Sequence, residues 1–490
     1  MTRMDTISPV GPEVTRAGRG ASWRARLRIA GRDTVGGEPV RRLLLVSLTL
    51  MTIAIALVFI AVARAPEMSI TDEPAHAGYL YDVAQGHLPA GGSLVPREIR
   101  YEWYCHDQAQ ATGSAACTGF DKSGFESSAQ VYTFGDPPIY YVVTGALVRV
   151  VSPLVPGTHN FITVGRDIGA VWLFAAMIVL YLAARRLRVS WPYALAAAAL
   201  LPLCPGILAA SSQITSDAPA ALCGALALYA LARLTVDRRT GFVLPLLITV
   251  FAAGTKQLNA LPMLVVAGVA LVLAVRALRG ERDWRAARAP FLVAVSVGFG
   301  FLLVFAGWSM LQNHRGEGKN WVNPNAADAV PLTGSRLGDM ASNLFGTFQH
   351  LTTNYWLGPE VNGESVVIWA TLLCALFCAA PLLLMTVSRS WSWGWMLGLG
   401  TFLGISAVAL VVEAQVFLEN HSYFVIVPGR YAMSFLPWAA VCLAVVAYRR
   451  RLLRSSFLFV SVGLLIVFLA DTGLLTLGPA LASRTSFLIG

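Results

Sequence analysis

Long apolar stretches separated by short polar segments dominate this chain of 490 residues. Each stretch approaches the roughly 20 residues that a helix needs to cross the hydrocarbon core of a bilayer. The stretches lack the two-residue alternation of a membrane β-barrel. Since only helices and closed barrels satisfy their backbone in lipid, the pattern predicts an all-α polytopic membrane protein. About eleven spans are predicted, at residues 43–64, 167–184, 191–210, 217–235, 241–257, 258–275, 290–312, 366–387, 393–413, 431–448 and 456–477.

The composition supports this class of protein. Hydrophobic residues make up 56% of the chain and charged residues only 13%, whereas a soluble domain carries roughly 25% charge. A soluble enzyme, a disordered protein and a disulfide-dense secreted module are therefore excluded.

The net charge of +10 is explained by membrane orientation. Residues 1–42 hold nine arginines against four acids and are predicted to be a disordered cytoplasmic tail without a cleavable signal. With this tail inside, the basic loops at 185–188, 233–239, 276–288, 389 and 449–454 also fall inside, as the positive-inside rule requires. The basic charge is thus no evidence for nucleic-acid binding.

This orientation defines the remaining segments. A membrane domain covers 43–480, with a large first external loop at 65–165, a second at 313–365 and a short external C-terminus at 481–490. Residues 137–155 resemble a short span, but a crossing there would turn every later basic loop outward. We therefore predict an interfacial or re-entrant helix at 137–155. Cys105 and Cys117, both in the first external loop, are predicted to form a disulfide.

Costly polar residues cluster at one predicted membrane face. Each ionisable group at membrane depth costs at least about 2.5–3.5 kcal/mol, yet five predicted spans carry such groups at their outer ends. They are Arg166 and Asp167, Asp217, Lys256, Glu413 with Gln415, and Arg430. Any one of them is compatible with snorkelling at a helix end, but the set as a whole predicts a shared external cavity.

The first external loop opens with Thr71-Asp72-Glu73-Pro74. Proline and acids in a first turn mark a helix N-terminus, so a helix is predicted at about 73–85, ending near Gly86. Spacing places Asp72, His76 and Tyr79 on one face. Asp72 is interpreted in two ways, as a helix cap or as a proton acceptor at the mouth of the cavity.

These motifs resemble the C-type (GT-C) membrane glycosyltransferases, which use polyprenyl-phosphate sugars. The resemblance is greatest to an uncharacterised bacterial branch and covers about residues 43–450. It rests on the acid-Glu-Pro-x-His motif after the first span, on a Pro-Pro-x-x-Tyr motif and on a late Gly-Arg-Tyr. Here these are Asp72 to His76, Pro137 to Tyr140, and Gly429 to Tyr431. Ser216-Asp217 and Thr255-Lys256 resemble positions of the wider superfamily.

The resemblance implies inverting transfer of a sugar on the outer face of a bacterial plasma membrane. Asp72 would accept the proton of the acceptor hydroxyl, with Glu73 as its helper. Arg430 and Lys256 would stabilise the departing lipid phosphate. Asp217 would orient the sugar or, together with Asp72, hold a divalent cation such as Mg²⁺ or Mn²⁺. Other residues expected to bind donor or substrate are His76, Tyr431, Gln257 and Tyr140.

The implied partners are the polyprenyl-phosphate-sugar donor, membrane lipid and an envelope glycan, lipid or protein as acceptor. Two alternatives stay open. A secondary transporter would show related halves and midplane polar groups, and the proline-rich stretch around Pro202 and Pro205 favours a broken helix of that kind. A lipid-linked-glycan ligase or polymerase would share the outer-face chemistry on another helical scaffold.

Overall fold

A computed structural model describes most of the membrane domain. The described residues are 34–35, 38–64, 68–69, 72–105, 126–154, 161–237, 241–280, 284–315, 329–331, 338, 347–348, 364–424, 427–450, 458 and 461. Several predictions concern residues outside this set. They are the N-terminal tail up to residue 33, the Cys105–Cys117 disulfide, most of loop 313–365, the last predicted span and the C-terminus.

The described chain is almost entirely helical. The α-helices are α1 Val40–Arg64, α2 Glu73–Ala84, α3 Arg97–Cys105, α4 Ile139–Val151, α5 Phe161–Asp167, α6 Gly169–Arg186, α7 Trp191–Leu200, α8 Pro205–Ser212, α9 Ala220–Ala232, α10 Val243–Thr255, α11 Leu261–Gly280, α12 Trp284–Arg315, α13 Glu364–Thr386, α14 Trp393–Asn420 and α15 Leu436–Arg449. A π-helical turn, Arg233–Asp237, extends α9.

Short 3-10 helices and two small hairpins complete the fold. The 3-10 helices are Glu126–Ala129, Tyr132–Gly135, Ser152–Leu154, Leu201–Leu203, Gln257–Ala260 and Gly429–Phe435. Strands β1 Thr34–Val35 and β2 Glu38–Pro39 pair antiparallel, as do β3 Ala329–Pro331 and β4 Ser422–Phe424.

Seven of the described helices are long and apolar enough to cross a membrane, and the protein is a multi-pass, all-α membrane protein. These seven cover 40–63, 161–186, 220–237, 257–279, 284–315, 393–418 and 429–449, and each coincides with a predicted span. The prediction of an all-α polytopic membrane protein is confirmed.

The predicted span at 191–210 is broken. The helical stretches Trp191–Leu203, which begins with α7, and Pro205–Ser212, which is α8, are bent by 68° relative to each other. Cys204 adopts an extended backbone at this point, and Pro205 begins α8. Proline cannot donate the hydrogen bond that would continue α7, whereas it is favoured in a first helical turn. The chain leaves α8 as the buried polar segment 213–219.

Two glycines allow close packing around that segment. A Cβ on Gly169 would lie 1.7 Å from the carbonyl oxygen of Ser211, and one on Gly224 would lie 1.8 Å from that of Ser434. Trp438 also donates to the carbonyl of Gly224 at 2.9 Å. Small residues at these crossings let the helices approach to backbone contact, which holds the ends of α6, α8, α9 and α15 together.

Helices α2 and α4 pack against each other outside the long helices. The start predicted for α2 is confirmed, and Gly86 follows its end with a positive φ of 86°. Helix α4 has 13 residues, the same length as α10, so its predicted place at the membrane interface rests on the sides of the basic loops and not on its length. The rings of Tyr79 and Tyr141 stack with centroids 3.7 Å apart, and Gly145 lies against Ala84.

The orientation inferred from the basic loops can be tested at Ser190, between α6 and α7. In a variant lacking Cys105 and Cys117, we expect Ser190→Cys to resist a membrane-impermeant maleimide in intact cells and to react after permeabilisation. His87→Cys, at an exposed position in the first external loop, should react in intact cells. Labelling of Ser190→Cys from outside would reverse the orientation.

Candidate active site

Five residues singled out in the sequence meet at one end of the helices. Arg430 Nη2 lies 2.6 Å from Asp72 Oδ2, and Lys256 Nζ lies 2.6 Å from Asp217 Oδ1. The ring of Tyr431 lies near both cations, with its centroid 5.4 Å from Arg430 Cζ and 5.2 Å from Lys256 Nζ. The structure thus brings together acids and bases that are up to 358 residues apart in the chain. We call these five residues the charged cluster.

Asp72 precedes α2 in a left-handed conformation with φ of 62° and does not cap the helix with its side chain. Its Oδ1 accepts a hydrogen bond from Tyr132 at 2.9 Å, while Oδ2 receives Arg430. The side-chain capping interpretation is therefore wrong. Aspartate is among the few residues that tolerate this backbone region, and the conformation turns the carboxylate away from its own helix toward the cluster.

The ion pair determines the charge of Asp72. Burial alone would raise the pKa of this carboxyl, but attraction to Arg430 and the hydrogen bonds from Arg430 and Tyr132 lower it from 3.8 to about 2. Because the pKa is lowered in the folded protein, the pair stabilises the fold at pH above about 4. That contribution is lost only as the pH falls toward 2. Asp72 is therefore ionised at physiological pH.

Asp217 and Lys256 form the more enclosed half of the cluster. The exposed fractions of their side chains are 4% and 14%, against 27% for Asp72 and 12% for Arg430. Asp217 Oδ2 is buried and accepts no hydrogen bond from the part of the chain that the structure describes. The cluster is therefore most open to solvent at Asp72.

His76 lies one turn after Asp72 and contacts α4. Its Nδ1 is 2.6 Å from the hydroxyl of Tyr141, and its ring stacks on that of Tyr141 with centroids 6.0 Å apart. Burial lowers the pKa of His76, although the nearby Asp136 and Asp72 oppose the shift. The imidazole is therefore neutral at physiological pH and can either donate or accept a proton in a hydrogen bond.

Glu73 has a different environment from Asp72. Its carboxylate is fully buried and receives Arg166 Nε and Nη2, both at 2.7 Å. It also accepts hydrogen bonds from the backbone N–H of Ile214 at 3.0 Å and of Ser69 at 2.6 Å. Four donors occupy this carboxylate, so the contacts favour a supporting role over direct participation in chemistry. Arg166, expected in the cavity, serves as the buried partner of Glu73.

Two further predicted substrate contacts have other environments. The hydroxyl of Tyr140 accepts a hydrogen bond from the backbone N–H of Thr215 at 3.1 Å and so supports segment 213–219. Gln257 is half-buried at the start of its 3-10 helix.

Glu413 and Gln415 do not end their helix as expected, because α14 continues to Asn420. Glu413 is buried and accepts a hydrogen bond from the backbone N–H of Phe424 in β4 at 3.2 Å. Gln415 is exposed.

Sequence reasoning missed three residues near the charged cluster, which are Tyr132, Asp136 and Tyr141. Asp136 and Tyr141 flank the Pro-Pro-x-x-Tyr motif, which was the available signal, but the sequence Asp-Pro-Pro is typical of a turn. Tyr132 carries no local signal, because it meets Asp72 only through a contact between distant parts of the chain.

The predicted divalent-cation site has little support in the described geometry. Among the described residues no group of three or more His, Cys, Asp or Glu side chains is arranged to hold a metal ion. Asp72 and Asp217 each contact a basic side chain, so Mg²⁺ or Mn²⁺ bound there would lie beside the positive charges of Arg430 and Lys256. We derive no step through a metal.

No family model matches this sequence, and a search of curated proteins finds no similar chain.

Proposed function

We propose that this protein is an inverting glycosyltransferase that moves a sugar from a polyprenyl-phosphate donor to an envelope glycan, lipid or protein at the outer membrane face. One observation carries the proposal. Arg430 and Lys256, each paired with an aspartate, lie on the ring of Tyr431 at the end of the helices predicted to face outward. Fixed cations at that depth suit a phosphate attached to a lipid in the bilayer.

The leaving group determines the role of the two cations. When the bond between the sugar C1 and the phosphate oxygen breaks, the electron pair and negative charge stay on the phosphate. Arg430 can bind two phosphate oxygens at once, whereas Lys256 acts as a point charge. Cations that are already in place stabilise this charge without reorganisation during the reaction.

The acceptor hydroxyl must lose its proton as its oxygen bonds to C1. We assign that proton to Asp72, which is the most exposed acid of the cluster. A phosphate that binds Arg430 competes with the Asp72 carboxylate for the guanidinium. Its arrival would free Oδ2 and weaken the interaction that keeps the pKa of Asp72 low, so that Asp72 becomes a better base.

The proposal includes eleven crossings with a cytoplasmic N-terminus in a bacterial plasma membrane. The seven long helices and the bent pair α7–α8 supply eight crossings. Helices α10 and α13 and the predicted span at 456–477 would supply the other three. In this arrangement α2, α4 and the charged cluster lie on the outside.

Reconstituted protein distinguishes the candidate functions. Liposomes containing the full chain and a panel of undecaprenyl-phosphate sugars should release undecaprenyl phosphate, by transfer to an added acceptor or by hydrolysis. We expect Arg430→Gln to reduce this release at least tenfold and to raise the donor KM, while Arg186→Gln, an arginine far from the cluster, changes neither. Unchanged donor dependence in Arg430→Gln would remove that residue from phosphate binding.

The bend between α7 and α8 favours a secondary transporter as the second candidate, since broken helices form many transporter sites. Uptake of a solute into these liposomes without donor cleavage would support the transporter and contradict the glycosyltransferase.

A further inference from the structure

The segment before the Pro-Pro motif is held in place to an unusual degree. The carbonyl groups of three successive residues, 134–136, each accept a hydrogen bond from a different side chain. The donors are Gln312 Nε2 at 3.0 Å, Trp308 Nε1 at 2.7 Å and Tyr79 OH at 3.0 Å. Helices α12 and α2 thus fix this backbone from two sides. Such support is typical of residues whose side chain must be placed accurately.

The side chain so placed is that of Asp136. Its Oδ2 accepts a hydrogen bond from Ser216 Oγ at 2.5 Å, which places the carboxylate beside the Asp217–Lys256 pair. Its Oδ1 receives no hydrogen bond from any described residue. Asp72, Glu73 and Asp217 each contact a basic side chain directly. Within the described chain Asp136 forms no such pair, so its carboxylate can accept hydrogen bonds from a ligand.

The surroundings of Asp136 fit hydroxyl groups. His76 lies near Asp136. Burial lowers the pKa of His76, and Asp136 is the nearby charge that opposes this shift most strongly. Within the described residues, Nε2 of His76 forms no hydrogen bond. Three polar groups therefore lie near one another: the Asp136 carboxylate, the Ser216 hydroxyl and the neutral imidazole of His76. Hydrogen bonds to a charged acceptor are roughly twice as strong as those between neutral groups, and a sugar presents several hydroxyl donors.

We propose that Asp136 is the specificity-determining residue that binds hydroxyl groups of the donor sugar. This inference rests on the proposed function, because it takes the lipid phosphate to be bound by Arg430 and Lys256. It moves the sugar-orienting role from Asp217, whose contact is with Lys256, to Asp136. The phosphate subsite is then formed by Arg430 and Lys256, and the sugar subsite by Asp136, beside the Asp217–Lys256 pair.

Separate subsites can be tested by binding alone. The probes are undecaprenyl phosphate and its glucosyl, mannosyl and arabinosyl derivatives, titrated against the full chain in lipid nanodiscs. We expect the wild type to bind at least one glycosylated form more tightly than the bare lipid phosphate. Asp136→Asn should remove about tenfold to hundredfold of that advantage and leave the Kd for bare undecaprenyl phosphate within about twofold.

Two control variants define what the result means. Asp82→Asn, a half-exposed acid on α2, should bind every probe as the wild type does. Arg430→Gln should weaken the bare and the glycosylated lipid phosphates by the same factor. Asparagine matches aspartate in size and can still accept the hydrogen bond from Ser216. Binding of bare undecaprenyl phosphate by Asp136→Asn would show that this variant is folded.

The contrary outcomes separate this inference from the proposed function. If the wild type shows no preference for any glycosylated form, or if Asp136→Asn keeps the full preference, the sugar role of Asp136 is overturned while lipid-phosphate binding stands. An equal loss of bare and glycosylated lipid in Asp136→Asn also overturns it, because Asp136 would then support the phosphate subsite. If bare undecaprenyl phosphate does not bind to the wild type, the proposed function fails as well.

Discussion

Asp72→Asn is expected to fold normally and to reduce glycosyl transfer by roughly 10²- to 10⁴-fold, the usual contribution of a positioned general base. The amide cannot take the proton of the acceptor hydroxyl. It does keep the size of the side chain, and asparagine tolerates the left-handed backbone found at this position (φ of 62°). The measurement is the initial rate of transfer from an undecaprenyl-phosphate sugar in liposomes, as a function of donor concentration.

The kinetic constants distinguish a catalytic role from an anchoring one. If Asp72 accepts the proton, kcat falls and the donor KM stays equal or decreases, because Arg430 loses its competing partner. If Asp72 merely holds Arg430 in position, the donor KM rises and kcat changes little. One control should keep a near-wild-type rate: Asp82→Asn, at a half-exposed position on α2. Turnover by Asp72→Asn at the wild-type rate would exclude Asp72 from the chemistry.

Glu73→Gln is expected to cost about 3–5 kcal/mol of folding free energy, the loss typical when one partner of a buried ion pair is removed. The substitution removes the negative charge that Glu73 places against the Arg166 guanidinium, which is only 3% exposed. It also weakens the hydrogen bonds that the carboxylate receives from the backbone of Ser69 and Ile214. Thermal unfolding of the purified protein in detergent should show a marked decrease in Tm and reduced yield of folded protein.

The matched control for Glu73 is the partly exposed pair of Arg186 and Asp237. Their side chains are 23% and 26% exposed, and pairs accessible to solvent contribute about 0–1 kcal/mol. We expect Asp237→Asn to leave the Tm almost unchanged. If the two variants lowered the Tm equally, burial would not explain the contribution of the Glu73–Arg166 pair to stability.

Hydropathy sufficed to predict the fold class, because the cost of exposing backbone to lipid applies to every span in the same way.

The effect of prolines inside a span was harder to predict. The break between α7 and α8 falls inside an uninterrupted apolar stretch, and Pro202 and Pro205 are compatible with either a kinked span or two helices. The resulting 68° bend depends on packing against neighbouring helices, which the sequence pattern does not contain.

The sequence predicted which residues belong to the candidate site but not which acid pairs with which base. Asp72, Asp217, Lys256 and Arg430 stood out because charges near a bilayer are costly and therefore rare. Which acid meets which base depends on contacts between distant helices. Glu73 looked equivalent to Asp72 in the sequence, yet Glu73 begins α2 and contacts the buried Arg166, whereas Asp72 precedes the helix in a left-handed conformation. Asp136 was missed because its backbone is held by donors from α2 and α12, which are distant in the chain.

The contact between Asp72 and Arg430 also has a consequence for biosynthesis. Its partners are separated by 358 residues, which a ribosome adding about 5–20 residues per second needs roughly 20 to 70 s to synthesise. Throughout that interval Asp72 has been made and Arg430 has not, so a nascent or prematurely terminated chain lacks one of its two cations. Any activity that depends on the charged cluster therefore begins only after synthesis has passed Arg430 and the helices that carry the cluster have assembled.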